Sequence, residues 1–348
     1  MVTSDSKFWK NKKVFVTGHT GFKGSWLIVY LKLLGAKVYG FSLKEKKLSI
    51  FNKAKLSRHV DKSYHGDIRD RLRLIRILKS VNPDLVFHLA AQSLVGHSIK
   101  NPFETYDINF NGTNILLEAC KKLRKLKLLI ITTTDKVYKP SKKNYFFTEK
   151  NELGGTDPYS WSKVFIENLV KDEIKNQDLK FKIATVRSGN VVGIGDFNFG
   201  RIVPDILHSI NNKKSLIVRN PKYIRPWLYV LDSLSGYIKL AEKLYKEKKS
   251  FENNINWNFS PNAKDHVDVS ELIRNFKKYY FFRTVYSNKR SYKEIKFLRL
   301  NSEKARKKLN WKPAFNVKKM VQEICNYNQS KFDIKLIKKM ITNFMTIK

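Results

Sequence analysis

The stretch KVFVTGHTGFKG, from Lys13 to Gly24, decides the fold. Its first five residues form a short apolar run of the kind that makes a buried strand. The rest places Gly18, Gly21 and Gly24 at G-x-x-G-x-x-G spacing, and from Phe22 to Leu34 apolar residues recur at helical intervals. Gly35 stops that helix. Strand, glycine turn and helix in this order suit a dinucleotide. The glycines let the backbone turn sharply and approach a pyrophosphate, whose charge sits on the helix N-terminus. The loop residues His19, Thr20 and Phe22 are cofactor candidates with the three glycines. The alternative is a tight strand-to-helix turn with no ligand.

Outward from this unit the alternation continues. Strands are expected at Lys37–Phe41, just before Gly66-Asp67, at Leu85–Ala90, at Leu126–Thr132 and at Ile183–Val186. Helices are expected at Arg69–Lys79, at Pro102–Leu123 and after Tyr159. The pattern predicts an α/β fold with a doubly wound parallel (Rossmann) sheet, which binds ligands beyond the carboxyl ends of its strands. After Ser188 the alternation blurs. Helices near Val203–Asn211, Asp232–Lys246 and Val269–Tyr279 lie among loops rich in Asn, Gly, Pro and Arg, as in a smaller substrate-binding α/β part. The chain therefore divides into a dinucleotide-binding domain over 1–188 and a mainly substrate-binding part over 189–348, with interleaved segments. The tail after Ser330 reads as an amphipathic, Lys-rich helix on the solvated surface.

At 348 residues and 42% hydrophobic content the chain can bury a large core. Cys120 and Cys325 fit no disulfide or zinc spacing, and the histidines fit no metal pattern, so a reduced, cytoplasmic, metal-free protein is expected. No apolar run approaches ~18 residues, so no integral membrane segment is expected. The net charge of +39 is spread along the chain and accompanies no nucleic-acid motif. That reads as composition, with no nucleic-acid partner; a peripheral membrane role stays open.

Candidate chemistry gathers at strand ends. Thr134, Asp135 and Lys136 end the fifth strand. Tyr159 and Lys163 follow at Y-x-x-x-K spacing, one turn apart on one helix face. A lysine there is expected to lower the phenol pKa, making Tyr159 a base near neutrality. By itself this spacing is common and often only a surface pair. Asp67, beside Ile68, can accept from an adenine amino group, and Leu89, Ala90 and Ala91 can let a cofactor pass. Lys44 stands where an acid for the adenosine ribose is usual, and Glu45 reaches it only if the register slips, which leaves NAD and NADP both open. Asn190, Arg219 and Arg225 are phosphate candidates. Glu167 and Glu173 read as a solvated helix face, and His88 as a core residue.

At these residues the chain resembles the extended short-chain dehydrogenase/reductase family. The resemblance covers nearly the whole chain. It rests on VTGHTGFKGSW from Val16, HLAAQSLV from His88, Thr134-Asp135-Lys136, GTDPYSWSK from Gly155, RSGNVVG from Arg187, Arg219-Asn-Pro and Arg225-Pro-Trp. Within the family it is most similar to nucleotide-sugar 4,6-dehydratases. Lys136, in place of the Glu of the dTDP-glucose and GDP-mannose enzymes, is similar to the branch acting on CDP-glucose. The chain departs from the family at Gly96-His97, where Arg is usual.

The resemblance implies NAD as cofactor, CDP-glucose as substrate and a homodimer built on the helices containing Asn109 and Tyr159. It also implies roles: Tyr159 and Lys163 in oxidation at C4, Thr134 holding the C4 oxygen, neutral Lys136 taking the C5 proton, and protonated Asp135 releasing the C6 hydroxyl. Gln92, Asn109, Asn190, Arg201, Arg219 and Arg225 would hold the substrate. A sugar 4-epimerase or reductase, or a non-catalytic dinucleotide-sensing or nucleic-acid-binding protein, are the alternatives.

Overall fold

A computed structural model describes residues 5–141, 143–176, 179–247, 255–287 and 295–347. The glycine turn lies in the middle of a seven-stranded parallel sheet. Its strands are β1 (Lys13–Thr17), β2 (Lys37–Ser42), β3 (Lys62–His65), β4 (Leu85–His88), β5 (Leu128–Thr132), β6 (Lys182–Ser188) and, after three short strands, β10 (Asn256–Phe259). Their order is β3-β2-β1-β4-β5-β6-β10. The order reverses between β1 and β4, and that switch point opens a crevice at the carboxyl ends.

The strands are apolar almost without alternation because both faces are covered. All five residues of β5 are buried. One core packs Leu74, Leu78, Leu116, Leu117, Ile166 and Val170 against one face; the other packs Trp26, Leu31, Leu234, Tyr237 and Trp311 against the opposite face. A third, small cluster of Val137, Tyr138, Phe147, Val164, Leu298 and Leu300 supports the loop after β5.

Two expectations about helices change. The long helix runs from Pro102 to Lys121 but is broken by a π-turn at Asp107–Asn111, which contains Asn109. Such turns shift the side-chain register and often mark functional positions. The tail helix Ile334–Ile347 is no solvated appendage. Ile337, Met340, Ile341 and Phe344, at i, i+3, i+4 and i+7, are buried in the core that holds the helix Phe22–Leu33. Its lysines face outward, and that hid its role.

The remaining strands are β7 (Asn190–Val192), β8 (Leu216–Val218), β9 (Ile224–Tyr229), β11 (His266–Asp268) and β12 (Thr284–Tyr286). They make a three-stranded sheet, β11-β9-β7, and a two-stranded one, β12-β8. The helix Val230–Lys246 and β10 return the chain to the central sheet, so the two parts share one core.

Burial of the tail helix gives a test. Ile341→Ala should lower the unfolding free energy by about 2–5 kcal/mol, seen as a fall in the urea midpoint. Ile347→Ala, on a residue 41% exposed, should leave the midpoint unchanged. Equal, small effects would return the tail to the solvated surface.

Candidate active site

The site begins at the glycine turn. Gly18 has φ +71°, and its N–H donates to Phe41 O at 2.8 Å. A Cβ at Gly18 would lie 2.6 Å from Ala90 N, and one at Gly24 would run into Gly18 O. Backbone from β1 and β4 thus meets where only glycine fits. Gly21 caps the helix Phe22–Leu33 without a side-chain acceptor, leaving its N-terminus open to an anion. Glycine contact, open helix end and switch point together fit a dinucleotide pyrophosphate. Among the described residues no His, Cys, Asp and Glu cluster could hold a metal ion.

The other cofactor candidates ring this turn. The His19 ring is turned under β2. Its Nε2 pairs with Ser63 Oγ at 2.7 Å, and burial pushes the imidazole down to about 4, so it is neutral. That ring anchors the loop to β2 and β3. Thr20 Oγ1 bonds Ser42 Oγ at 2.8 Å and donates to Leu43 O. Asp67 is engaged by Arg69, which donates to both of its oxygens and also to Asp107. Ile68 is buried beside it. The N–H groups of Leu89 and Ala90 both approach Thr17 Oγ1, which brings Ala90 and Ala91 to the turn. Beyond β2, Lys44 is exposed, while Glu45 lies 3.9 Å from His65 Nδ1. His88 is a core residue held between Thr17 and Thr113.

The loop after β5 and the helix Pro158–Asn176 bring the second group together. Thr134 Oγ1 donates to Asp135 Oδ1 at 3.1 Å and also hydrogen-bonds Tyr159. Asp135 is buried, its Oδ2 has no partner, and burial pushes its carboxyl up to about 6 against the pull of Lys136, Thr134 and Arg225. The expectation for Tyr159 fails in this structure. Burial pushes its phenol up to about 12, and Lys163 is not among the groups that lower it. Lys163 Nζ instead donates to Thr132 O at 3.1 Å, and burial, with the nearby Lys23, pushes the ammonium down to about 7. A half-neutral lysine aimed at a carbonyl lends a phenol little help.

Glu167 overturns the solvated-face reading outright. It is buried and paired with Arg187 at 2.9 Å. Its Oε1 accepts from Thr133 Oγ1 at 2.6 Å and its Oε2 from Thr185 Oγ1 at 2.8 Å. Arg187 Nη1 donates to the Tyr138 hydroxyl at 2.9 Å. Glu167 lies four residues beyond Lys163, hence on the buried face, and that spacing was the available signal. Glu173 pairs with Lys121 at 2.7 Å at the edge of the same helix.

The substrate candidates divide. Arg201 reaches Asp196 at 2.8 Å and Ser93 Oγ at 2.7 Å, and its charge acts on Tyr159. Arg225 is buried, donates to Ile224 O and Ile295 O, and acts on Asp135. Arg219 is exposed just beyond β8, and Asn190 starts β7 beside Trp227. Gln92 and Asn109 differ from the expectation of direct contact. Asn109 bonds the Gln92 N–H and C=O and Ser162 Oγ; the Gln92 amide bonds Leu94 and Thr105 Oγ1. The buried Asn109 amide needs such partners, and the two side chains shape the loop after β4. His97, of the Gly96-His97 pair, contacts Glu104 at the surface.

A doubly wound sheet with this glycine turn and a Tyr159–Lys163 pair beside Thr134 defines a short-chain dehydrogenase/reductase scaffold. The profile of the GDP-mannose 4,6-dehydratase family matches residues 15–324, and the chain belongs to that family. It is 37% identical to the CDP-glucose 4,6-dehydratase of Salmonella typhimurium, over 94% of this chain and 93% of that one. It is 27% identical to UDP-glucose 4-epimerase 2 of Arabidopsis thaliana, over 91% and 95%. The solved dTDP-glucose 4,6-dehydratase of Bacillus anthracis, in complex with NAD, superposes with a TM-score of 0.77 over 94% of this chain and 99% of that one; at 21% identity the likeness is one of fold.

The Asp135 carboxyl sets a pH test of stability. Its pKa rises from an ordinary 3.8 to about 6 on folding, so the folded state binds more protons between those values. Stability therefore falls as pH rises from about 4 to about 6, by roughly 3 kcal/mol at 1.36 kcal/mol per unit. Asp135→Asn should be more stable than the parent at pH 7 by that order and lose the advantage at pH 4, in urea unfolding at the two pH values. An advantage independent of pH would refute the assignment.

Proposed function

We propose that the chain is a 4,6-dehydratase that converts CDP-glucose to its 4-keto-6-deoxy derivative with NAD. One observation carries the reading: a buried, raised carboxyl, Asp135, stands beside Lys136 and is linked through Thr134 to Tyr159. A 4-epimerase needs oxidation and reduction at C4 alone and has no use for an acid-base pair there. The CDP-glucose enzyme named above supports the choice of nucleotide, as does Lys136.

In this reading Gly18, Gly21 and Gly24, with the loop from Thr20 to Phe22, receive the cofactor pyrophosphate. Asp67, Ile68, Leu89, Ala90 and Ala91 line its path toward Tyr159 and Lys163. Bound NAD supplies the two-electron oxidation at C4 and the matching reduction at C6. Tyr159 Oη takes the proton of the C4 hydroxyl, held by Thr134. The resulting ketone acidifies the C5–H bond. Lys136 takes that proton, and Asp135 gives its own to the C6 oxygen, which leaves as water. A proton then returns to C5, so the sum is loss of one water. Asn190, Arg219 and Arg225 hold the diphosphate, and residues 189–348 supply most of the nucleotide contacts.

The reading includes a homodimer. Phe103 is 86% exposed, and Ile99, Trp161 and Phe165 are exposed beside it. The Phe165 ring packs against Tyr106, Phe110 and Trp161 in tilted and edge-on contacts, giving the two long helices a shared aromatic face. A patch of this kind marks an interface. The two buried free thiols, Cys120 and Cys325, suit the reducing cytoplasm. No helix among the described residues is long and apolar enough to cross a membrane.

The decisive experiment offers CDP-, dTDP- and UDP-glucose and GDP-mannose with NAD in deuterated water. CDP-glucose should give a 4-keto product, read by its absorbance in base, with deuterium at C5. Lys136→Met and Asp135→Asn should each lower turnover by about 10²–10⁴-fold while leaving sugar-nucleotide binding intact. A 4-epimer without C5 deuterium would establish the epimerase instead. In sedimentation, Phe165→Glu should convert a dimer to monomers; a parent monomer, or an unchanged dimer in the variant, would reject this interface.

A further inference from the structure

Outside the residues placed in the site, the edge formed by β8 and β12 carries a surface that the catalytic reading leaves unexplained. The strands are parallel, with Ile217 opposite Val285. Both side chains are exposed, as is Tyr286, while Leu216 and Val218 face the core. The chain enters β12 from the helix Val269–Lys277 through a loop on which Phe281 is 93% exposed and Tyr279 is also exposed. Leu216 N donates to Arg283 O at 2.8 Å, so the chain entering β8 lies against that loop.

The rim is cationic. Lys213 and Lys214 precede β8; Arg274, Lys277, Lys278 and Arg283 precede β12, and all are exposed. No acidic residue occurs from Asn211 to Arg219 or from Leu272 to Ser287. These six cations surround exposed aliphatic and aromatic side chains.

We infer that this edge docks the protein on an anionic lipid surface. Exposed aromatics settle at the headgroup boundary, and flanking Lys and Arg are drawn to anionic headgroups. The alternatives fit less well. A second copy would bring like charges together. A single-stranded nucleic acid follows a cationic groove lined by aromatic platforms, whereas the exposed strand residues here include Ile217 and Val285, which offer a base neither a hydrogen bond nor a ring to stack on. Phe281 and the six cations lie before the amino ends of β8 and β12, and Arg219 lies beyond the carboxyl end of β8. The inference stands independently of the proposed reaction.

The test is flotation of the full chain with vesicles of phosphatidylcholine alone and of an equal mixture with phosphatidylglycerol, with an RNA homopolymer as competitor. Binding should appear on the anionic vesicles and fall as salt is raised. Phe281→Glu, and separately Lys277→Glu with Lys278→Glu, should each weaken it on the order of tenfold or more, with nucleotide-sugar turnover unchanged. No binding to anionic vesicles would overturn the inference. So would binding that both variants retain, since that would be a property of the whole charge. Preferential binding of the RNA, lost in Phe281→Glu, would assign the edge to nucleic acid instead.

Discussion

The buried ion pair between Glu167 and Arg187 is the constraint on which the site depends. It joins the helix Pro158–Asn176 to the sheet at three places: the residue just after β5 through Thr133, β6 through Thr185 and Arg187, and β10 through Asn256. Burial alone would raise the Glu167 carboxyl; Arg187 and the two hydroxyls outweigh it and hold the group below its ordinary value. Such a pair adds little net stability, but removing one partner costs about 3–5 kcal/mol because the other charge is left buried. Its use here is orientation. With Glu167 fixed, the helix cannot rotate, and Lys163 and Tyr159, one and two turns earlier, must face the loop after β5. Arg187 also reaches Tyr138, whose hydroxyl donates to Asn258 at 2.6 Å, so the loop bearing Asp135 and Lys136 is pinned at both ends.

Glu167 and Asp135 are two buried carboxyls with opposite fates. Every lone pair of consequence on Glu167 meets a donor. Asp135 has one hydroxyl donor on Oδ1 and none on Oδ2. The same desolvation acts on both, and the count of donors and cations decides the sign. One group becomes a permanent anion that positions a helix, and the other, raised to about 6, holds its proton nearer to neutrality than an ordinary carboxyl, as a proton donor requires. Swapping their surroundings would exchange their chemistry without changing a residue.

Much of this was legible in the sequence, for reasons that also explain what was not. Strands buried on both faces are short apolar runs, and the glycine turn repeats at fixed spacing because three close backbone contacts need it. Those signals are local. Glu167 looked like a solvated residue because charge suggests surface, and only its register with Tyr159 and Lys163 said otherwise. The tail helix looked detached because its lysines are conspicuous and its buried stripe is ordinary. His19, Gln92 and Asn109 sit among the right loops, yet their side chains are turned to Ser63, Leu94 and Ser162, partners that only the folded chain supplies. The phenol of Tyr159 could not be read from Y-x-x-x-K, since the spacing brings Lys163 near without saying where its ammonium points.

The excess of positive charge also reaches these groups. Lys23, in the glycine turn, repels the buried Lys163 ammonium, while Arg201 pulls on the Tyr159 phenol and Arg225 on Asp135. Burial is the larger cause in all three groups, and these cations modulate it. The excess charge therefore reaches the chemistry through Lys23, Arg201 and Arg225, three residues outside Y-x-x-x-K, and a spacing motif cannot carry what distant parts of the chain add to its field.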